Sequence, residues 1–107
     1  METKERKELY QKAIKSWGVT NQVFMVMEES GEMLNALAKY NRNRSTPQEI
    51  ITELADVWIL MEQMAEVFGW EEFQKELQYK LERLKQRLDN NESLIIEKEK
   101  ASKKNVK

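Results

Sequence analysis

The sequence predicts an all-α protein, an antiparallel bundle of about four helices that pairs into a dimer or a tetramer. Three observations predict the helices. The 107 residues include only three glycines and one proline. No segment alternates β-branched and polar residues as a half-buried strand does. Apolar residues instead recur at three- and four-residue spacings between start and stop signals.

The first helix spans residues 2 to 17, with Leu9, Ala13, Ile14 and Trp17 as its apolar stripe and Gly18 as its stop. Thr20 is the expected N-cap of the second helix, which runs to about Tyr40, with Val19 and Phe24 placed as a hydrophobic staple. Val23, Val26, Met27, Ser30, Leu34 and Leu37 spread over a broad arc expected to be buried, and Gln22, Met25, Glu29, Glu32 and Ala36 form the neighbouring stripe. After the basic loop Asn41-Arg42-Asn43-Arg44-Ser45, Thr46-Pro47-Gln48-Glu49 has the pattern of a capping box with proline at the first helical position. The third helix continues to Phe68, stopped by Gly69, and is expected to bury Ile50, Leu54, Val57, Trp58, Met61, Ala65 and Phe68. Trp70, Phe73, Leu77, Leu81, Leu84 and Leu88 mark a fourth helix, flanked by a basic row of Lys80, Arg83 and Arg87. Residues 1–88 thus read as one domain. Residues 89–107, with one short apolar patch at Leu94, Ile95 and Ile96, read as a flexible or partly helical tail that is ordered only if it docks on a partner subunit.

With 40% hydrophobic and 35% charged residues and a formal net charge of −1, the chain reads as a soluble cytoplasmic domain. No apolar run is long enough to span a bilayer, and there is no basic excess of the kind a nucleic-acid groove requires. Cysteine and histidine are both absent, which excludes disulfides, thiolate or imidazole ligands and the usual general base. The second helix is apolar over more of its circumference than a small monomer needs, and a second copy would bury the excess.

Two acidic clusters carry the chemistry: Glu28-Glu29-Ser30-Gly31-Glu32 and Glu53-Leu54-Ala55-Asp56. Carboxylates three residues apart share a helix face, where like charges cost roughly 0.2 to 0.5 kcal/mol per pair. Bringing the two pairs together costs more, since unit charges about 6 Å apart at an effective dielectric near 20 repel by roughly 3 kcal/mol. Acidic pairs also decorate solvated helices, but no lysine stands at i+4 to neutralise either cluster, and both border apolar stripes. A hard divalent cation with an all-oxygen shell compensates such a site, magnesium above all and manganese as a substitute. A di-iron centre is excluded because its Glu-x-x-His elements need histidine. Glu49 is assigned to the cap and left out of the metal shell.

Glu-Glu-x-x-Glu at 28–32 followed by Glu-x-x-Asp at 53–56 resembles the signature of the MazG-like all-α nucleoside triphosphate pyrophosphohydrolases, in particular the short single-domain members of phages and Gram-positive bacteria. Trp17-Gly18 ahead of Gln22, the run Glu53-Leu54-Ala55-Asp56-Val57-Trp58, and Lys80-Leu81-Glu82-Arg83-Leu84 strengthen the likeness, which covers residues 10 to 88. It implies magnesium-dependent cleavage between the α and β phosphates of a nucleoside triphosphate by a homodimer or homotetramer. It also implies metal ligation by Glu29, Glu32, Glu53 and Asp56, with Glu28 as a further ligand or a water-orienting base alongside Glu29. Lys80 and Arg83 are implied to hold phosphates, and Gln22 and Trp17 to lie near the base or sugar. Two alternatives stand beside it. Phosphoribosyl-ATP pyrophosphohydrolase shares the acidic signature, but Phe24-Met25-Val26-Met27 lacks the lysine-rich approach expected there. The other alternative is a helical interaction module whose acidic patches serve solubility.

Overall fold

A computed structural model describes residues 1–105, the side chains of 93–96 and 102–105 excepted. The described residues form four helices and no strand: α1 (Thr3–Trp17), α2 (Val19–Asn41), α3 (Pro47–Phe68) and α4 (Trp70–Asn105). None of these helices is long and apolar enough to cross a membrane. The chain divides into two compact units, Met1–Trp70 and Glu71–Lys107.

In the first unit α2 and α3 make the most extensive pairing, and α1 lies against both. Glu29 meets Asp56 near the middle of α2 and α3, while Lys39 late in α2 shares a cleft with Glu49 early in α3, so the two helices run antiparallel. Gly18, at φ +84°, ends α1 with its N–H on the Ile14 carbonyl at 2.8 Å and directly precedes α2. A side chain with a Cβ rarely adopts this φ, and the one-residue link is only as tight as glycine allows. The link moves the start of α2: Thr20 lies inside the first turn, and no side chain caps the helix. At the far end of α2 the Lys39 carbonyl accepts from the Arg42 and Arg44 N–H groups, and Asn43 takes the left-handed conformation at φ +57° that asparagine tolerates.

The start of α3 is as expected. The Glu49 N–H donates to Thr46 Oγ1 at 3.2 Å and the Thr46 N–H to Glu49 Oε2 at 3.4 Å, a capping box worth about 1 kcal/mol. Gly69, at φ +134°, closes the helix with its N–H on the Ala65 carbonyl.

The core differs from the expected one. Tyr10, Val57, Leu60 and Ala65 are its buried hydrophobic residues, whereas Leu54, Trp58, Met61 and Phe68 are exposed, as are Leu9 and Trp17 of the expected α1 stripe and Met27, Leu34 and Leu37 of the expected α2 arc. Polar side chains draw α3 round. Glu62 and Gln63 are buried, and Glu62 accepts a 2.5 Å hydrogen bond from Tyr10 Oη and a 3.2 Å bond from Arg6 Nη2. Gln11 Nε2 donates to Glu66 Oε1 at 2.7 Å and the Lys7 ammonium stands 5.3 Å from the centre of the Trp70 ring, so α1 meets the C-terminal half of α3 through a polar seam. Burial and then the hydrogen bond and charge of Glu62 push the Tyr10 hydroxyl up to about 12. It therefore stays protonated and donating across the physiological range.

In the second unit α4 remains helical past Leu88 to Asn105. Leu81, Leu84 and Leu88 are exposed. The apolar patch at Leu94, Ile95 and Ile96 falls among the side chains outside the described residues, as does the chain end at 106–107.

Candidate metal centre

Two helices deliver the carboxylates. Glu29 projects from α2, and Glu53 and Asp56, one turn apart, project from α3. One oxygen from each of the three lies within 4.8 Å of the others. Two oxygens about 2.1 Å from a single magnesium ion stand roughly 3 Å apart when adjacent and about 4.2 Å apart when opposite. Small side-chain rotations bring the group to that geometry.

Glu29 and Glu53 are half-buried and Asp56 is exposed. Both Glu29 Oε2 and Glu53 Oε2 are buried with no hydrogen-bond partner. A buried acceptor left unpaired costs about 1 to 3 kcal/mol, and more when it is charged. Arg6 Nε, Ser45 Oγ, Gln63 Oε1 and Glu66 Oε2 are also buried without a hydrogen bond, and what sets the Glu29 and Glu53 oxygens apart is that both residues belong to the three-carboxylate group. Their chemistry fits a hard cation: anionic oxygens only, with no nitrogen or sulfur donor.

Glu32 lies beside Glu29, and its neighbourhood opens into a cleft of about 260 Å³ lined by Glu32, Asn35, Ala36, Lys39, Glu49 and Glu53. Partial burial, followed by the charge of Glu32 and a hydrogen bond with its side chain, and then the charges of Asp56 and Glu53, holds the Glu29 carboxyl above its ordinary value of 4.5. The folded, metal-free protein thus binds a proton at Glu29 more tightly than the unfolded chain does. Its stability rises as the pH falls through the raised Glu29 value, and the gain is complete below the ordinary carboxyl value. Thermal melts in chelator are expected to show this slope in the parent and a shallower one in Glu29→Gln. Equal slopes would contradict the assignment.

The other expected site residues are not members of the three-carboxylate group. Glu28 is exposed and outside the three-carboxylate group. Gln22 is buried at the start of α2, and Trp17, at the end of α1, is exposed with its carbonyl accepting from Asn21 Nδ2 at 2.7 Å. Lys80 and Arg83 belong to the second unit, where they line a hollow of about 180 Å³ with Leu84 and Arg87. Lys80 Nζ lies 4.0 Å from Glu76 Oε1 on the same helix.

Sequence inspection overlooked Asn35 and Lys39. The signal was present in the spacing: Glu32, Asn35, Ala36 and Lys39 fall at i, i+3, i+4 and i+7, on one face of α2. The chain matches no protein-family model, no curated protein and no solved structure. The case for its chemistry is therefore carried by its own residues.

Proposed function

We propose that this protein is a magnesium-dependent nucleoside triphosphate pyrophosphohydrolase, cleaving between the α and β phosphates to release a nucleoside monophosphate and pyrophosphate. The observation that carries this reading is the meeting of Glu29, Glu53 and Asp56 across α2 and α3, with two buried, unpartnered oxygens among them. The likeness of the clusters to the MazG-like signature supports the choice of bond.

Glu29, Glu53 and Asp56 would hold the ion, and Glu32 adds a carboxylate on the cleft side. Magnesium supplies, when bound, the positive charge that orients and neutralises phosphoryl oxygens and acidifies nearby water. These side chains outnumber the one or two protein carboxylates that magnesium usually takes. One of them remains to accept the proton of the attacking water, in a site with no histidine to do so.

The test is product analysis by phosphorus NMR after incubating the purified chain with magnesium and a panel of canonical and modified triphosphates. Monophosphate and pyrophosphate in equal amounts support the reading. Orthophosphate as the only phosphorus product, or no turnover across the panel, contradicts it.

A second copy of the chain completes the proposal. Phe24, Met27, Gly31, Leu34 and Ala38 form an exposed stripe at heptad-like spacing along α2, and Ile51, Leu54, Trp58, Met61 and Phe68 form another along α3. Apolar stripes of this length on so thin a core favour a homo-oligomer. Trp58 is 57% exposed in the single chain, so Trp58→Glu should cost the fold little while lowering self-association. Sedimentation velocity reads the result: a shift towards monomer is expected, and unchanged association would rule out this face.

A further inference from the structure

The cleft adjoins the three-carboxylate group through Glu53, the one member of the group that lines it, and holds one cation among its lining residues, Lys39. No carboxylate lies within ion-pair distance of the Lys39 ammonium: among the described residues, the ion pairs are Arg6–Glu62 and Lys80–Glu76. Glu49, which shares the cleft wall with it, is engaged in the capping box with Thr46. The ammonium therefore lies among acidic walls without a partner of its own.

Three physical features say what it is placed to bind. A lysine on a helix leans towards the helix N-terminus, which on α2 is the direction of Glu32 and the metal centre. Lys39 follows Glu32 by two turns, about 10 Å along the axis. The ammonium leaning back across that distance leaves a gap that an extended polyphosphate chain spans. Finally, at about 260 Å³ the cleft is smaller than the roughly 300 to 1,000 Å³ of pockets that enclose whole small-molecule ligands. It suits a phosphate chain and leaves a nucleoside outside.

We propose that the cleft between α2 and α3 seats the polyphosphate chain of the substrate, with its inner phosphates at the Glu29, Glu53 and Asp56 group and its outer phosphate on Lys39. This assignment rests on the metal-centre reading above and adds a substrate-binding residue that the acidic signature does not contain. The contact is a charge-assisted hydrogen bond from the ammonium to a phosphate oxygen. The acidic walls make it conditional: without a divalent cation the cleft repels a polyanion, so occupancy requires magnesium first.

The experiment is calorimetric titration of inorganic pyrophosphate into the full chain, with and without magnesium, for the parent, Lys39→Ala and Lys39→Arg. Binding is expected only with magnesium, weakened roughly tenfold or more in Lys39→Ala and largely retained in Lys39→Arg. Magnesium titrated alone should bind the parent and Lys39→Ala equally, since Lys39 is exposed and outside the ligand group. Parent-like pyrophosphate affinity in Lys39→Ala overturns the proposal, as does a loss of magnesium binding in that variant, which would mean that Lys39 acts through the metal centre. A parent that binds magnesium but not pyrophosphate overturns the phosphate seat and leaves the metal centre standing. A parent that binds neither overturns both.

Discussion

Asp56→Asn is expected to abolish magnesium-dependent triphosphate hydrolysis, by on the order of 10² to 10³-fold or more, while leaving the metal-free fold at least as stable as the parent. The two halves of this expectation have one cause. Asp56 is exposed, so exchanging its carboxylate for an amide of the same shape removes no packing. In the metal-free state it stands within reach of the Glu29 and Glu53 oxygens, where each added negative charge is repelled. Its charge is thus a liability to the empty fold and an asset only with a cation present. Steady-state hydrolysis beside a thermal melt in chelator separates the two effects. Retained activity, or a fall in metal-free stability, would place Asp56 among ordinary surface residues.

The second large effect concerns stability. Glu62→Ala is expected to destabilise the protein by about 3 kcal/mol, at the low end of the range for breaking a buried ion pair. Glu62 is only 6% exposed and satisfies two groups on α1, the Tyr10 hydroxyl and the Arg6 guanidinium. Truncation strands the Tyr10 hydroxyl, itself buried, without an acceptor. The Arg6 side chain is 38% exposed and turns to water, which is why the cost stays at the low end. In a chain of this size the loss corresponds to a melting-point drop on the order of 10 to 20 °C. A double replacement, Tyr10→Phe with Glu62→Leu, should recover much of it, because no polar group is then left orphaned in the seam. A single variant that melts with the parent would show that α1 is held by other contacts.

The legibility of the sequence varied with how local each feature was. Thr46, Pro47 and Glu49 marked the start of α3 because a capping box is complete within four residues. Gly18 and Gly69 marked helix ends because positive φ is a property of one residue. The cap of α2 was misplaced at Thr20, since nothing in the pattern shows that a single glycine can both end one helix and precede the next. Beyond Leu88 the sequence leaves a flexible and a partly helical segment both open, and the structure shows helix to Asn105. Its glutamates and lysines are good helix formers, but they lack the apolar period by which helices are recognised.

The acidic faces could be read because an i, i+3 pair shows its face in the sequence itself; the structure brings Glu29, Glu53 and Asp56 together and leaves Glu32, the fourth expected ligand, outside that group beside Glu29. The core was not legible, because its position depends on the buried polar contacts of Glu62 with Tyr10 and Arg6. These join residues more than fifty positions apart. Lys39 was hidden for a related reason: only the antiparallel register of α2 and α3 puts it in a cleft with Glu32, Glu49 and Glu53.

The account stands on a divalent cation held between α2 and α3. The most direct measurement is calorimetric titration of magnesium into the nucleotide-free protein, beside Asp56→Asn and Glu53→Gln, with thermal melts at each concentration. The parent should bind magnesium and gain stability with concentration as RT ln(1 + [L]/Kd), and both variants should lose the binding and the gain. A parent that neither binds nor gains stability, or variants that respond as the parent does, would contradict the account.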